Sequence, residues 1–291
     1  MFVHAHPDDE SSQSPATMAR YVDEGAQVTL VTCTLGELGE ILVPEWEHYS
    51  PSELGAHRID ELTKALGIIG VTDHVWLGGK GKYHDSGMAT DDEGRAIPRD
   101  ELPDGAFWAA DLLEASDHLV TLIRDRRPQV IATYDQNGNY GHPDHIQAHR
   151  VTMYATLLAG VSSYRPDLGE PWQVSRVLWI SPNPQAWIKA TEKAHELGVP
   201  LPEGMDEEAM RRRFAIDPRH IAAVIPYEGR ADLCQAALEA HRSQVDPENP
   251  LWKMFRFMRT IEGTGEAYRL AAGVPFPGEG PADDLFAGLD V

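Results

Sequence analysis

Two short stretches of this chain hold the residue types of hydrolytic chemistry. His6-Pro7-Asp8-Asp9-Glu10 follows a brief apolar run near the start, and Tyr140-Gly141-His142-Pro143-Asp144-His145 follows another much later. His6 and Asp9 are three apart on a turn stiffened by Pro7, so both can converge on one cation while Asp8 points elsewhere. With His145 they make three ligands, the number that leaves zinc an open position for water, whose pKa then falls to about 7. Asp8, beside a ligand but not needed as one, is the natural general base. Zinc is the expected cation, and ferrous iron accepts the same donors. Asp144 either stabilises the positive end of a helix or orients His142 through a hydrogen bond. A lone H-x-x-D is weak, but two such clusters at two strand ends are a much stronger signal.

Both clusters need elements that deliver them to one place. The short apolar run that opens the chain and leads into His6 reads as a strand, and Ser14-Pro15 as a helix start, with Ser14 able to cap and Pro15 at the first helical position. That helix ends near Gly25, and Gln27 to Cys33 is a β-branched buried strand, completing a right-handed βαβ unit. Ser52 to Ile69 has helical spacing in Leu54, Ile59, Leu62 and Leu66, and His74 to Leu77 is a third strand. Residues 78–107 are irregular and long enough to line a site. Trp108 to Arg127 reads as an amphipathic helix, Gln129 to Tyr134 as a fourth strand and Asp144 to Leu158 as a helix. Strands alternating with helices imply an α/β, doubly wound, Rossmann-like sheet, mostly parallel, with both clusters at its carboxyl edge, where such sheets bind ligands. The first strand is not followed by G-x-G-x-x-G, so the dinucleotide signal is absent. Beyond this core (1–160), the smaller C-terminal portion (161–291) is expected to complete the sheet and pocket within one functional unit. There, Val174 to Ile180 and Ile221 to Ile225 read as strands. Residues 185–197, residues 206–213 and Glu228 to Ser243 read as helices, and the Gly, Pro and acid-rich stretch from Glu262 as loosely packed.

With 291 residues and 42% hydrophobic content, the chain can bury a substantial core. A net charge of −21 argues against a nucleic-acid groove or an anionic membrane surface as partner. Two cysteines, Cys33 and Cys234, are too few for a disulfide framework and point to a reducing cytoplasm. No run approaches eighteen apolar residues, and no basic and apolar leader opens the chain. Oligomeric state is not readable at this level.

The pentad His6 to Glu10 and Gly141-His142-Pro143-Asp144-His145 together resemble the LmbE-like (PIG-L) zinc-dependent N-acetylglucosaminyl deacetylase superfamily. Within it, Cys33 to Glu40 and Leu77 to Met88 are similar to the mycothiol-pathway deacetylases that act on N-acetylglucosaminyl-inositol. The similarity runs from residue 2 to about 160 and is thin beyond, apart from His241-Arg242-Ser243-Gln244. The resemblance implies His6, Asp9 and His145 as ligands, Asp8 as base, Tyr140 as a hydroxyl for the oxyanion and His142 as acid or electrostatic partner. It also implies Arg58, Asp85, Glu40, Met88 and Gln244 at the sugar or inositol. Read without it, Arg58 is as readily a surface ion pair, Asp85 and Glu40 are solvated loop carboxylates, and Gln244 is a cap. His4 reads as a packed core histidine. The implied reaction releases acetate and a free amine from a small amino-sugar substrate. The mycothiol-conjugate amidases share the chemistry, and Ser11-Ser12 and Gln244-Val245-Asp246-Pro247 lean towards them, whereas Gln13 and the loop Gly78 to Met88 lean towards the deacetylases. A sugar-binding protein without catalysis has no need of a free base beside a metal.

Overall fold

The computed structural model describes residues 1–92, 95–198 and 217–290. Its strands are β1 (Phe2–His4), β2 (Thr29–Thr32), β3 (Asp73–Trp76), β4 (Ala89–Thr90), β5 (Ala96–Ile97), β6 (Val130–Thr133), β7 (Arg176–Ser181), β8 (Ala223–Pro226) and β9 (Gly265–Gly273). Seven of them form one sheet in the order β3-β2-β1-β6-β7-β9-β8. β1, β2, β3, β6 and β7 run parallel, β9 is antiparallel to β7, and β8 pairs antiparallel with β9 and so points the same way as the other five. β4 and β5 make a small hairpin inside the irregular stretch 78–107.

Strand residues alternate between two apolar layers. Val3, Val31, Ile131 and Val177 face the layer holding Leu119, Ile123 and Val151. Their neighbours Phe2, Leu30, Ala132 and Leu178 face the layer holding Met18, Leu62 and Leu66. A sheet covered on both sides must be apolar at successive positions, which is why these strands read as continuous apolar runs. Helices α1 (Asp9–Gln13), α2 (Pro15–Asp23), α3 (Pro51–Ile69), α4 (Leu112–Arg126), α5 (Gly138–Gly141), α6 (Pro143–Ala159) and α7 (Pro184–Leu197) connect the strands. α3 opens with Pro51 at its first position and the Glu53 carboxylate accepting the Ser50 amide at 2.8 Å, and stops at Gly70, φ +89°. No helix of the described residues is long and apolar enough to cross a membrane.

Several expectations need correction. Ser14 sits at the start of α2 but its hydroxyl does not cap it. It meets His4 Nε2 at 3.0 Å, and the free amides of Ala16 and Thr17 are instead accepted by the buried carboxylate of Glu266, each at 2.8 Å. The helix expected from Trp108 begins at Leu112, because Asp111 caps it by accepting the Glu114 amide at 2.8 Å; Phe107–Ala109 is a separate 3₁₀ turn. The helix expected over Glu228 to Ser243 is shorter, Ala231–Glu239, and leaves His241 buried in the turn that follows. The stretch from Glu262 is not loose: it holds the nine-residue β9, between β7 and β8. Its tail is pinned by the fully buried Arg176 guanidinium, which donates to the carbonyls of Val274, Pro275, Leu285 and Ala287. Glycine, proline and acid content says nothing of such a clamp. The helix expected at 206–213 lies outside the described residues.

Candidate metal centre and active site

β1 and β6 are neighbours in the sheet, and here the strand order reverses: the chain steps outward through β2 and β3 on one side and β7 on the other. Loops leaving two such strands diverge and open a crevice at their carboxyl ends. The turn after β1 and the loop after β6 therefore face each other across it, and they carry the two clusters.

One ring nitrogen each from His6, His142 and His145 falls within 4.8 Å of the others, all three side chains buried. Asp9 bridges two of them, with Oδ2 3.4 Å from His6 Nδ1 and Oδ1 3.4 Å from His145 Nε2. Both ring nitrogens of His145 are buried without a hydrogen-bond partner. Stranding an imidazole in this way costs about 1–3 kcal/mol unless something else binds it. The donor set, imidazoles with a carboxylate, suits zinc or ferrous iron, so the residues present fit a divalent cation.

A second layer orients these rings. Asp144 Oδ2 lies 3.2 Å from His6 Nε2 and accepts the Ser86 amide at 2.8 Å, and Oδ1 accepts the Ser86 hydroxyl at 2.5 Å. Of the two roles open to Asp144, its carboxylate thus serves His6, while its amide donates to His142 Nδ1 at 3.1 Å. That bond makes Nδ1 the acceptor, so a neutral His142 carries its proton on Nε2. Burial, then the neighbouring His6 and His145, hold His142 well below the usual imidazole range. Burial also acts to lower His6, but Asp85, Asp144 and Asp9 outweigh it and hold it well above that range. Asp85 Oδ1 is 3.6 Å from His6 Nε2, and its oxygens accept the amides of Gly87 at 2.7 Å and Leu38 at 3.1 Å.

Asp8 stands beside this group with its side chain 27% exposed, the most accessible carboxyl of the pentad. Poor solvation in the crevice pushes it up to about 6, against the pull of Arg58. Arg58 is buried, not a surface ion pair: it donates to the carbonyls of Pro7 and Gly36 and, at 3.0 Å, to Asp8 Oδ2. Tyr140 lies at the rim, its ring centroid 5.1 Å from that of His145. Gln244 reaches the same edge: a Cβ on Gly39 would meet both Gln244 Oε1 and Arg58 Nη1, so the ends of these two side chains close on Gly39. Glu40 and Met88 are exposed. His4 is a packed core histidine, 3.2 Å from the Tyr134 hydroxyl.

From sequence, Tyr134 and Ser86 had no part in the site, and Gln13 served only to separate deacetylases from amidases. The Tyr134 hydroxyl donates to Asp9 Oδ2 and accepts the Ala5 amide, each at 2.7 Å, and its ring stacks on His145 at 4.0 Å. Gln13 Nε2 donates to Asp9 Oδ1 at 2.8 Å. A tyrosine closing a strand that leads into a histidine-rich loop was the one local signal for any of the three.

Comparison with known proteins agrees with this geometry. Residues 1–156 match the family model of GlcNAc-PI de-N-acetylase (PIG-L). A 1D-myo-inositol 2-acetamido-2-deoxy-alpha-D-glucopyranoside deacetylase of Kribbella flavida is 47% identical, over 99% of this chain and 97% of the relative. Its namesake from a Nocardioides species is 45% identical over 99% and 98%. In fold, the chain is similar to the N,N'-diacetylchitobiose deacetylase of Pyrococcus horikoshii, with a TM-score of 0.62 at 19% identity over 92% of this chain and 82% of that one. With a sheet whose carboxyl edge gathers both histidine clusters and with relatives this similar along its whole length, the chain belongs to the PIG-L family of de-N-acetylases.

Proposed function

We propose that this protein is a zinc-dependent N-deacetylase that hydrolyses the acetamide of N-acetylglucosaminyl-inositol, giving acetate and the free amine. The observation that carries this reading is an accessible aspartate, Asp8, beside buried imidazoles whose free nitrogens await a cation. The substrate is taken from the name shared by relatives 45–47% identical over nearly the whole chain.

In this reading His6, Asp9 and His145 hold the cation, which when bound lowers the pKa of water and polarises the amide carbonyl. Asp8 accepts a proton from the water as its oxygen attacks the carbonyl carbon. Negative charge then gathers on the carbonyl oxygen, to which this reading assigns the Nε2–H of His142 and the Tyr140 hydroxyl as donors. As the C–N bond breaks, the nitrogen takes the proton that Asp8 accepted and leaves as the amine, and the acyl group leaves as acetic acid, which ionises to acetate. Arg58 holds Asp8 by its outer oxygen. Arg58, Asp85, Glu40, Met88 and Gln244 are assigned to the sugar and inositol, and the segment around Gln244, from the C-terminal portion, to one wall of the pocket. A small-molecule amino sugar is the only partner the proposal requires, and a cytoplasmic setting suits it.

The test is release of acetate and primary amine by the zinc-loaded protein. It is run on N-acetylglucosaminyl-inositol, on N-acetylglucosamine and on an amide joining the amino sugar to an acylated cysteine. Turnover of the first above the others is expected. Preference for the third would make the protein a conjugate amidase, and inactivity on all three with metal bound would remove the proposal.

A further inference from the structure

Four non-glycine residues among those described have positive φ, and Asp8, at φ +109° and ψ −26°, lies outside the allowed left-handed region. Such backbone costs about 1–3 kcal/mol and persists only where its surroundings impose it. The surroundings can be named. The Asp8 amide donates to Glu10 Oε2 at 2.9 Å, and the Asp8 carbonyl accepts the amides of Ser11 at 3.1 Å and Ser12 at 2.9 Å. Glu10 is completely buried, as is His241, whose Nε2 lies 2.7 Å from Glu10 Oε1; the Ser11 hydroxyl donates to the same oxygen at 2.5 Å. One oxygen of Glu10 is therefore spent on the amide of Asp8. The other anchors Glu10 to a segment from the far end of the chain.

We propose that Glu10 is a positioning residue for Asp8, its carboxylate holding the Asp8 amide so that the backbone keeps the conformation aiming the Asp8 carboxyl into the crevice. This rests on the reading of Asp8 as general base. The role is one of direction: Glu10 touches neither the substrate crevice nor the histidine cluster, and acts only through the peptide unit it holds.

Glu10→Ala removes the acceptor and should lower kcat tenfold or more, with KM and bound zinc unchanged. Glu10→Gln should recover most of the loss, since an amide oxygen can face the Asp8 amide while its NH2 donates to His241 Nε2. In an Asp8→Ala background, Glu10→Ala should have no further effect on kcat, because there is no carboxyl left to aim. An equal loss in both backgrounds, or a loss tracking zinc content, would overturn the inference. A crystal structure of Glu10→Ala gives a readout independent of activity: Asp8 should leave positive φ, and retention of φ near its present value refutes the positioning role. Should the wild-type protein turn over no acetamide, it is the proposed function that fails, and the crystal structure still decides whether Glu10 sets the Asp8 backbone.

Discussion

Glu266 offers a test of the scaffold behind the site that needs no substrate. This carboxyl on β9 is buried and accepts the Ala16 and Thr17 amides, with the Thr17 hydroxyl at 2.5 Å, at the start of the helix that follows the pentad. Burial pushes it up to about 7, outweighing the hydrogen bonds that favour its charged form. An acid whose value is raised on folding binds more protons folded than unfolded between the two values. Its contribution to stability is thus fully present below about 4.5, its ordinary value, and is lost as pH rises through about 7. The difference corresponds to about 3 kcal/mol. Glu266→Gln keeps the shape, forfeits one amide hydrogen bond at every pH and cannot ionise. The stability of wild type minus that of the variant, from urea denaturation at a series of pH values with constant slope, should therefore fall by about 3 kcal/mol from about pH 4.5 to pH 8. A flat difference would mean that the helix terminus, not burial, governs Glu266. A rise with pH would refute the reasoning outright.

Other outcomes follow from the site. Asp8→Ala should keep its zinc, measured by elemental analysis after dialysis, and lose about 10²–10⁴-fold in kcat, the usual worth of a general base; a loss of metal instead would make Asp8 a ligand. His145→Ala should lose the metal itself. If that variant retains stoichiometric zinc, the ligand set is wrong, and His142, which lies within reach of His6, becomes the candidate to replace it. Tyr134→Phe removes the hydroxyl bound to Asp9 and should weaken zinc affinity about 10–100-fold, by competition with a chelator, as loss of an outer partner does elsewhere; unchanged affinity would leave the tyrosine a packing role only.

Local pattern was enough for the five parallel strands and the two clusters at strand ends, though not for β9 or the β4–β5 hairpin. Continuous apolar runs, Pro7 and Pro143, and the stop at Gly70 are set by residues within a few positions of one another, which a chain displays wherever it folds. Partnerships over long separations were not legible. That β1 lies beside β6 follows from sheet order; that Asp144 turns to His6, that Arg58 grips Asp8 and that Glu266 caps a helix far away each follow from which side chain reaches an unpaired polar group first once the layers close. The Gly and Pro content near the C-terminus suggested looseness for the same reason. A buried guanidinium that collects four carbonyls leaves no trace in the composition of the segment it holds, since its binding energy resides in groups brought together only by the fold.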